Sequence, residues 1–299
     1  MTAPFLVTID CDSLVSHHAV WGLPAPATGE VEAFFLRALD VARAWLSEQA
    51  VPATFFVTAE HLTPPVLRRL VGLAAAGHEP GNHTYSHPYD LSRRSPMDVR
   101  AELERNHRAL ADAGLVCRGF RAPGYHLSPF ALVAVEAQGY VYSSSQITGW
   151  IYPVAKWLTA LGLRLRGRAT RTVRHPITDW WTPPVPYHPD PSAPHRPGSS
   201  PVWELPIAAG RWGLPTVGAL LHAGAPLRLF DTPAARPWIM NLHLTDFTPD
   251  APRLALAGPD FTLRLPLARR LRTLDRVLDR ARAQCRPVCT LLDLAGSLG

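Results

Sequence analysis

The chain has 299 residues, 47% hydrophobic and 18% charged, enough to bury a large core, which excludes a disordered or fibrous protein. Its net charge of +6 invites a nucleic-acid partner, but Lys156 is the only lysine and the arginines are dispersed, so the charge reads as compositional bias and not as a nucleic-acid surface. The absence of an apolar run of about 18 residues argues against a spanning helix, and four scattered cysteines (Cys11, Cys117, Cys285, Cys289) suggest no disulfide framework.

From the first residues, apolar runs alternate with helical patterns. No basic stretch and long apolar run precede "FLVTID", which reads directly as a buried strand, and this start points to the cytoplasm. "VEAFFLRALDVARAWLSEQ" has apolar residues at helical spacing, "PATFFVTAE" is a second strand, and "PPVLRRLVGLAAAG" is a helix opened by proline and closed by Gly77. After "HEPGNHTYSHPYD" come a helix in "SPMDVRAELERNHRALADAG", a strand in "VCRGFRAP", a helix in "SPFALVAVEAQG" and a strand in "YVYSSS". Such alternation predicts a parallel sheet, and at this length a β/α barrel is its leading closure. The pattern breaks at about 150–201, where a basic amphipathic stretch leads into a proline-rich loop over 182–201; this reads as an insertion within a single domain spanning 1–299. Strand-like "VWELPI" and "WIMNLHLTD" follow, then the amphipathic helix "PLARRLRTLDRVLDRARAQ". Cys285 is placed at that helix's end and Cys289 on a strand in "PVCTLLDLAG".

Chemistry in parallel β/α barrels gathers at the C-terminal ends of the strands. Those ends carry Asp10 and Asp12 in "TIDCDS", His83 and His87 in "HTYSH", Arg121 in "FRAPGY" and His243 in "NLHLTD". Two imidazoles and a carboxylate suit a catalytic divalent metal such as zinc, because three protein ligands leave a position for water or substrate. A single helical turn would put His83 and His87 on one face. Each fragment has a plainer reading as well. The aspartates could end a strand or pair with arginine, Arg121 could be a structural ion-pair residue, and His243 could be a core histidine bonded to a carbonyl.

Taken together, these motifs resemble the NodB-type polysaccharide deacetylases of carbohydrate esterase family four. "TIDCDS" is similar to the first motif of divergent members with a spaced Asp pair, "HTYSH" to His-Ser/Thr-x-x-His, and "RAPGY" to Arg-x-Pro followed by a small or aromatic residue. "GYVYSSS" resembles a motif in which Asp is common at the position of Ser143, and "NLHLTD" the last motif. The Asp-Trp fourth motif has only Asp179 and Trp180 as candidates, inside the divergent insertion.

The resemblance implies a distorted or incomplete (β/α) barrel of about seven strands and one divalent ion, zinc first, with cobalt, nickel or manganese as alternatives. It further implies Asp12, His83 and His87 as ligands and Asp10 as the base. Arg121 would hold Asp10 ionised, a backbone N–H near Gly124 and Tyr125 would meet the oxyanion, and His243 would protonate the departing amine. The expected activity is hydrolysis of an N-acyl group, N-acetyl first, from an amino sugar or lipid-linked sugar. Hydrolysis of another C–N bond, in a formamide or cyclic amide, is the runner-up, and a silent carbohydrate-binding relative comes third. The basic insertion would suit peripheral contact with an anionic membrane.

Overall fold

The computed structural model describes residues 2–165, 180–210, 212–249 and 254–299. Its centre is a seven-stranded sheet: β1 (Phe5–Cys11), β2 (Ala53–Val57), β3 (Glu79–Asn82), β4 (Gly119–Phe120), β5 (Tyr142–Ser143), β6 (Trp203–Glu204) and β7 (Trp238–His243). The spatial order is β6-β5-β4-β3-β2-β1-β7, and every neighbouring pair is parallel. All seven residues of β1 and all five of β2 are buried, as expected of strands covered on both faces. The gap between β6 and β7 is partly spanned by single bridges, Ala209 to Pro215 and Val217 to Asn241, so the sheet curls into an incomplete barrel.

Nine helices are described: α1 (Leu14–Val20), α2 (Thr28–Gln49), α3 (Pro64–Ala75), α4 (Pro96–Asp112), α5 (Pro129–Ala137), α6 (Ile151–Leu165), α7 (Gly218–His222), α8 (Leu267–Ala283) and α9 (Leu291–Leu298). Local chemistry sets several starts. Ser95 and Ser128 accept from the backbone N–H groups of Asp98 and Ala131, each just ahead of a proline in the first helical turn. The segment "PVCTLLDLAG" departs from the expected strand. Thr290 and Asp293 form a reciprocal cap that opens α9, and only Val288 bridges to the sheet, at Phe5. Cys289 therefore sits between a bridge and a helix. The start of α9 closes the barrel floor, where Leu291 N–H donates to Thr54 Oγ1 and Leu292 N–H to Glu79 Oε2. No helix among the described residues is long and apolar enough to cross a membrane.

Candidate active site

Alternation along β1 turns Thr8 and Asp10 toward the same side, and Asp12 follows one residue past the strand's C-terminal end. On neighbouring β7, Asn241 and His243 follow the same period, and the register sets Asp10 beside His243. Arg121, just beyond β4, is fully buried and reaches across to both strands. Its guanidinium donates to Asp10 Oδ1 at 2.7 Å, Thr8 Oγ1 at 2.9 Å and Asn241 Oδ1 at 2.5 Å, and on its other side to Ser144 O at 2.8 Å and Ser144 Oγ at 2.9 Å. The Phe56 ring lies 4.1 Å below it. Burial is the largest single influence and would raise the Asp10 carboxyl, but Arg121, His83 and His243 together outweigh it, and the pKa falls below the ordinary carboxylate range.

His83 and His87 do meet, but not on a helical turn. The chain from His83 to Pro88 is irregular, and Thr84 and His87 both take left-handed conformations, with φ of 65° and 52°. Asn82 supports the bend by accepting from Thr84 N–H at 2.8 Å, while its amide is anchored to Leu103 O and Tyr140. Convergence thus comes from two strained residues in a loop, which the His-x3-His spacing does not reveal. Their ring centroids are 4.8 Å apart, and both Nε2 atoms lie 3.3 Å from Asp12 Oδ1.

This donor set fits a cation. One ligand atom each from Asp12, His83 and His87 lies within 4.8 Å of the others, and all three residues are buried. His83 Nδ1 is 2.7 Å from the Arg121 carbonyl, which can only accept, so the ring hydrogen is spent there and Nε2 is turned to Asp12. Asp12 Oδ1, although close to two imidazoles, accepts a well-aligned hydrogen bond from neither. Burial pushes His87 down to about 3, so its ring is uncharged at neutral pH and one of its nitrogens offers a lone pair. Burial likewise opposes charge on His83, but its contact with Asp12 and the nearby Asp10 raise its pKa above the ordinary value. A divalent ion held by these three residues would supply the positive charge that a buried carboxylate facing two imidazoles calls for.

His243 is the most open member of the group, with 29% of its side chain exposed. Its Nε2 stands 3.8 Å from both Asp10 Oδ2 and Asp12 Oδ2 and 3.2 Å from the Tyr125 hydroxyl. Asp246 accepts from His243 N–H at 2.8 Å with one oxygen and meets His222 Nε2 at 3.0 Å with the other. The oxyanion expectation at Tyr125 needs correction. Gly124 and Tyr125 are consecutive left-handed residues, and the Tyr125 N–H closes their turn on Ala122 O at 3.1 Å. What Tyr125 brings to the site is its hydroxyl, which donates to Asp10 Oδ2 at 2.5 Å and accepts from Asn241 Nδ2 at 2.7 Å.

A cavity of about 160 Å³ joins Asp12, His83, His87, Gly124, Tyr125 and His243. His17, Val20, Tyr89, Tyr152 and Lys156 complete its wall, none of them singled out from the sequence as a site residue. Tyr152 and Lys156 come one turn apart from α6, so the insertion contributes to this site. Lys156 Nζ donates to Gly124 O at 3.1 Å, and burial lowers its pKa to about 7. Of the Asp179–Trp180 pair, Asp179 lies outside the described residues.

A family model described as polysaccharide deacetylase matches residues 38–143, which hold His83, His87 and Arg121. A chitooligosaccharide deacetylase from Bradyrhizobium sp. (strain ANU 289) is 43% identical over 82 residues. Residues 38–143 of the chain are therefore similar to the polysaccharide deacetylases. The Bradyrhizobium alignment covers 26% of this chain and 36% of that family member. The chitooligosaccharide deacetylase of Sinorhizobium fredii (strain NBRC 101917 / NGR234) is 43% identical over 67 residues, 22% of this chain and 29% of its own. The chain thus aligns with about a third of the length of these relatives. A Mycobacterium smegmatis structure assigned to the polysaccharide deacetylases shares the fold, with a TM-score of 0.51 at 18% identity over 97% of this chain and 94% of that one. Asp10, Asp12 and His243 fall outside the span matched by the family model and join the site through β1 and β7.

Proposed function

We propose that the protein is a metal-dependent amide hydrolase that removes an N-acyl group, N-acetyl first, from an amino sugar. The observation that carries this reading is the meeting of Asp12, His83 and His87 with the Asp10–Arg121 pair and His243 around one small cavity. Asp12, His83 and His87 would hold the ion, with zinc the first choice for two imidazoles and a carboxylate. Such an ion supplies Lewis-acid polarisation of the acyl oxygen and a more acidic water. Asp10 is the proton acceptor: Arg121 holds one oxygen and keeps the carboxyl ionised, and Tyr125 fixes the other. His243 Nε2, partly exposed and close to both carboxylates, is placed to hand a proton to the departing amine nitrogen. That transfer is needed because an amide anion is a very poor leaving group. The backbone of Gly124, on the cavity wall, is the donor assigned to the developing oxyanion.

Ligand pockets commonly run to roughly 300–1,000 Å³, so a cavity of about 160 Å³ would take the acylated end of a sugar and leave the remainder outside. The relatives' names make N-acetylated chitooligosaccharides the first substrates to try, alongside lipid-linked N-acyl sugars. Zinc-loaded protein should release acetate, detected by mass spectrometry, and Asp10→Asn should stop release while zinc stays bound. Full activity after exhaustive chelation, or in Asp10→Asn, would overturn the reading.

A further inference from the structure

A second cavity, of about 340 Å³, lies between α7 and α8, away from the Asp12–His83–His87 cluster. Its wall includes His222, Leu227, Arg269, Arg272, Thr273 and Arg276. The three arginines stand at i, i+3 and i+7 of α8, which gathers them on one face over about 10 Å of helix axis. Like charges at this spacing repel and weaken a helix. Neighbouring acids on α8 do not relieve them. Asp275 accepts from Trp45 and Gln49, and Asp279 pairs with Arg282. Among the described residues, none of the three arginines makes an ion pair with a carboxylate.

His222 is an independent sign at the same place. Its side chain is wholly buried, its Nε2–H donates to Asp246 Oδ1 at 3.0 Å, and its Nδ1 has no hydrogen-bond partner. A buried nitrogen left unsatisfied is costly, and this one belongs to a residue on the wall that the guanidiniums share.

We propose that this cavity binds a phosphate or diphosphate group, with Arg269, Arg272 and Arg276 supplying positive charge beside the wall that His222 helps to form. Guanidiniums match phosphate oxygens with paired N–H groups, and three of them on one face make a site that a single surface arginine does not. The site is also linked to the first one. Asp246 holds His222 with one oxygen and the backbone of His243 with the other, so a ligand on His222 is two hydrogen bonds from His243.

Calorimetric titration of the full chain, stripped of metal with EDTA and at low salt, with inorganic pyrophosphate should give saturable binding. Replacing Arg272→Gln and Arg276→Gln together should weaken it at least tenfold, whereas Asp12→Asn should leave it within twofold. A second arm uses vesicles of phosphatidylcholine with and without phosphatidic acid. Retention on the phosphatidic acid vesicles that disappears in the double glutamine variant assigns the phosphate to a lipid headgroup. Pyrophosphate binding without such retention assigns it to a soluble ligand. Absence of both, or binding that survives in the double variant, overturns the proposal, as does pyrophosphate binding that is lost in Asp12→Asn. No arm measures turnover, so failure here leaves the deacetylase reading standing.

Discussion

Arg121→Met probes the buried charge pair on which the candidate site is built. The guanidinium is fully buried and holds Asp10 Oδ1 at 2.7 Å, together with Thr8, Asn241 and Ser144. Methionine keeps much of the volume but leaves the Asp10 carboxylate buried without its cation. Removing one partner of a buried ion pair costs about 3–5 kcal/mol. With a melting entropy of ~2.1 cal/mol/K per residue over 299 residues, that becomes a fall in Tm of about 5–8 °C at pH 7. The pH dependence has a definite sign. In the parent protein the Asp10 carboxyl lies below the ordinary range, so its stabilising contribution is complete at neutral pH and lost only as pH falls through that depressed pKa. Without Arg121, burial dominates and lifts the carboxyl above the ordinary range. The variant's extra instability should then be largest at pH 7 and shrink toward pH 5 as Asp10 takes up a proton. Thermal melts by circular dichroism at both pH values, in EDTA, read this directly. The double variant Asp10→Asn/Arg121→Met should cost clearly less than the sum of the two single changes. A Tm loss below about 2 °C at pH 7, a loss independent of pH, or simple additivity would refute the reasoning.

Zinc at a hundred times its dissociation constant should stabilise the parent protein by about 2.7 kcal/mol, and His83→Ala should erase that shift. His243→Ala should slow amide hydrolysis by about 10²–10⁴-fold, yet affect a 4-nitrophenyl acetate assay far less, since phenolate leaves without a proton. Tyr125→Phe removes the hydroxyl between Asp10 and Asn241 and should lower kcat roughly tenfold, in line with about 1–1.5 kcal/mol for one hydrogen bond; metal content should be unchanged. Gly119→Ala would put a Cβ 2.0 Å from Cζ of Tyr142, an overlap that should cost about 1–3 kcal/mol or more in a denaturant melt.

The barrel was legible because its signals are local. Buried strands such as Phe5–Cys11 read as apolar runs, and serine or proline marks the start of α4 and α5. The C-terminal stretch misled because "PVCTLLDLAG" is as apolar as a strand. The Thr290–Asp293 spacing was the sign of a helix cap and decides the matter. The polar residues at strand ends were legible as a set, but not the conformations that bring them together. Nothing in the residue types of Thr84 or His87 announces a positive φ, since neither is glycine.

Two omissions have different physical causes. Asn241 was within reach of sequence reasoning, because a residue two positions before His243 on a strand must share its face. It bonds Arg121, Thr8 and Tyr125 together, so the two side chains that hold the Asp10 carboxylate are tied through one amide. Lys156 was out of reach, because its place depends on how an insertion folds back over the strand ends, a long-range matter that local pattern does not encode. Its bond to Gly124 O joins α6 to the turn that aims the Tyr125 hydroxyl at Asp10. The barrel therefore supplies the charges of the site, while the insertion holds the turn that orients one of their hydrogen bonds. Changes in α6 should accordingly alter turnover more than they alter metal affinity.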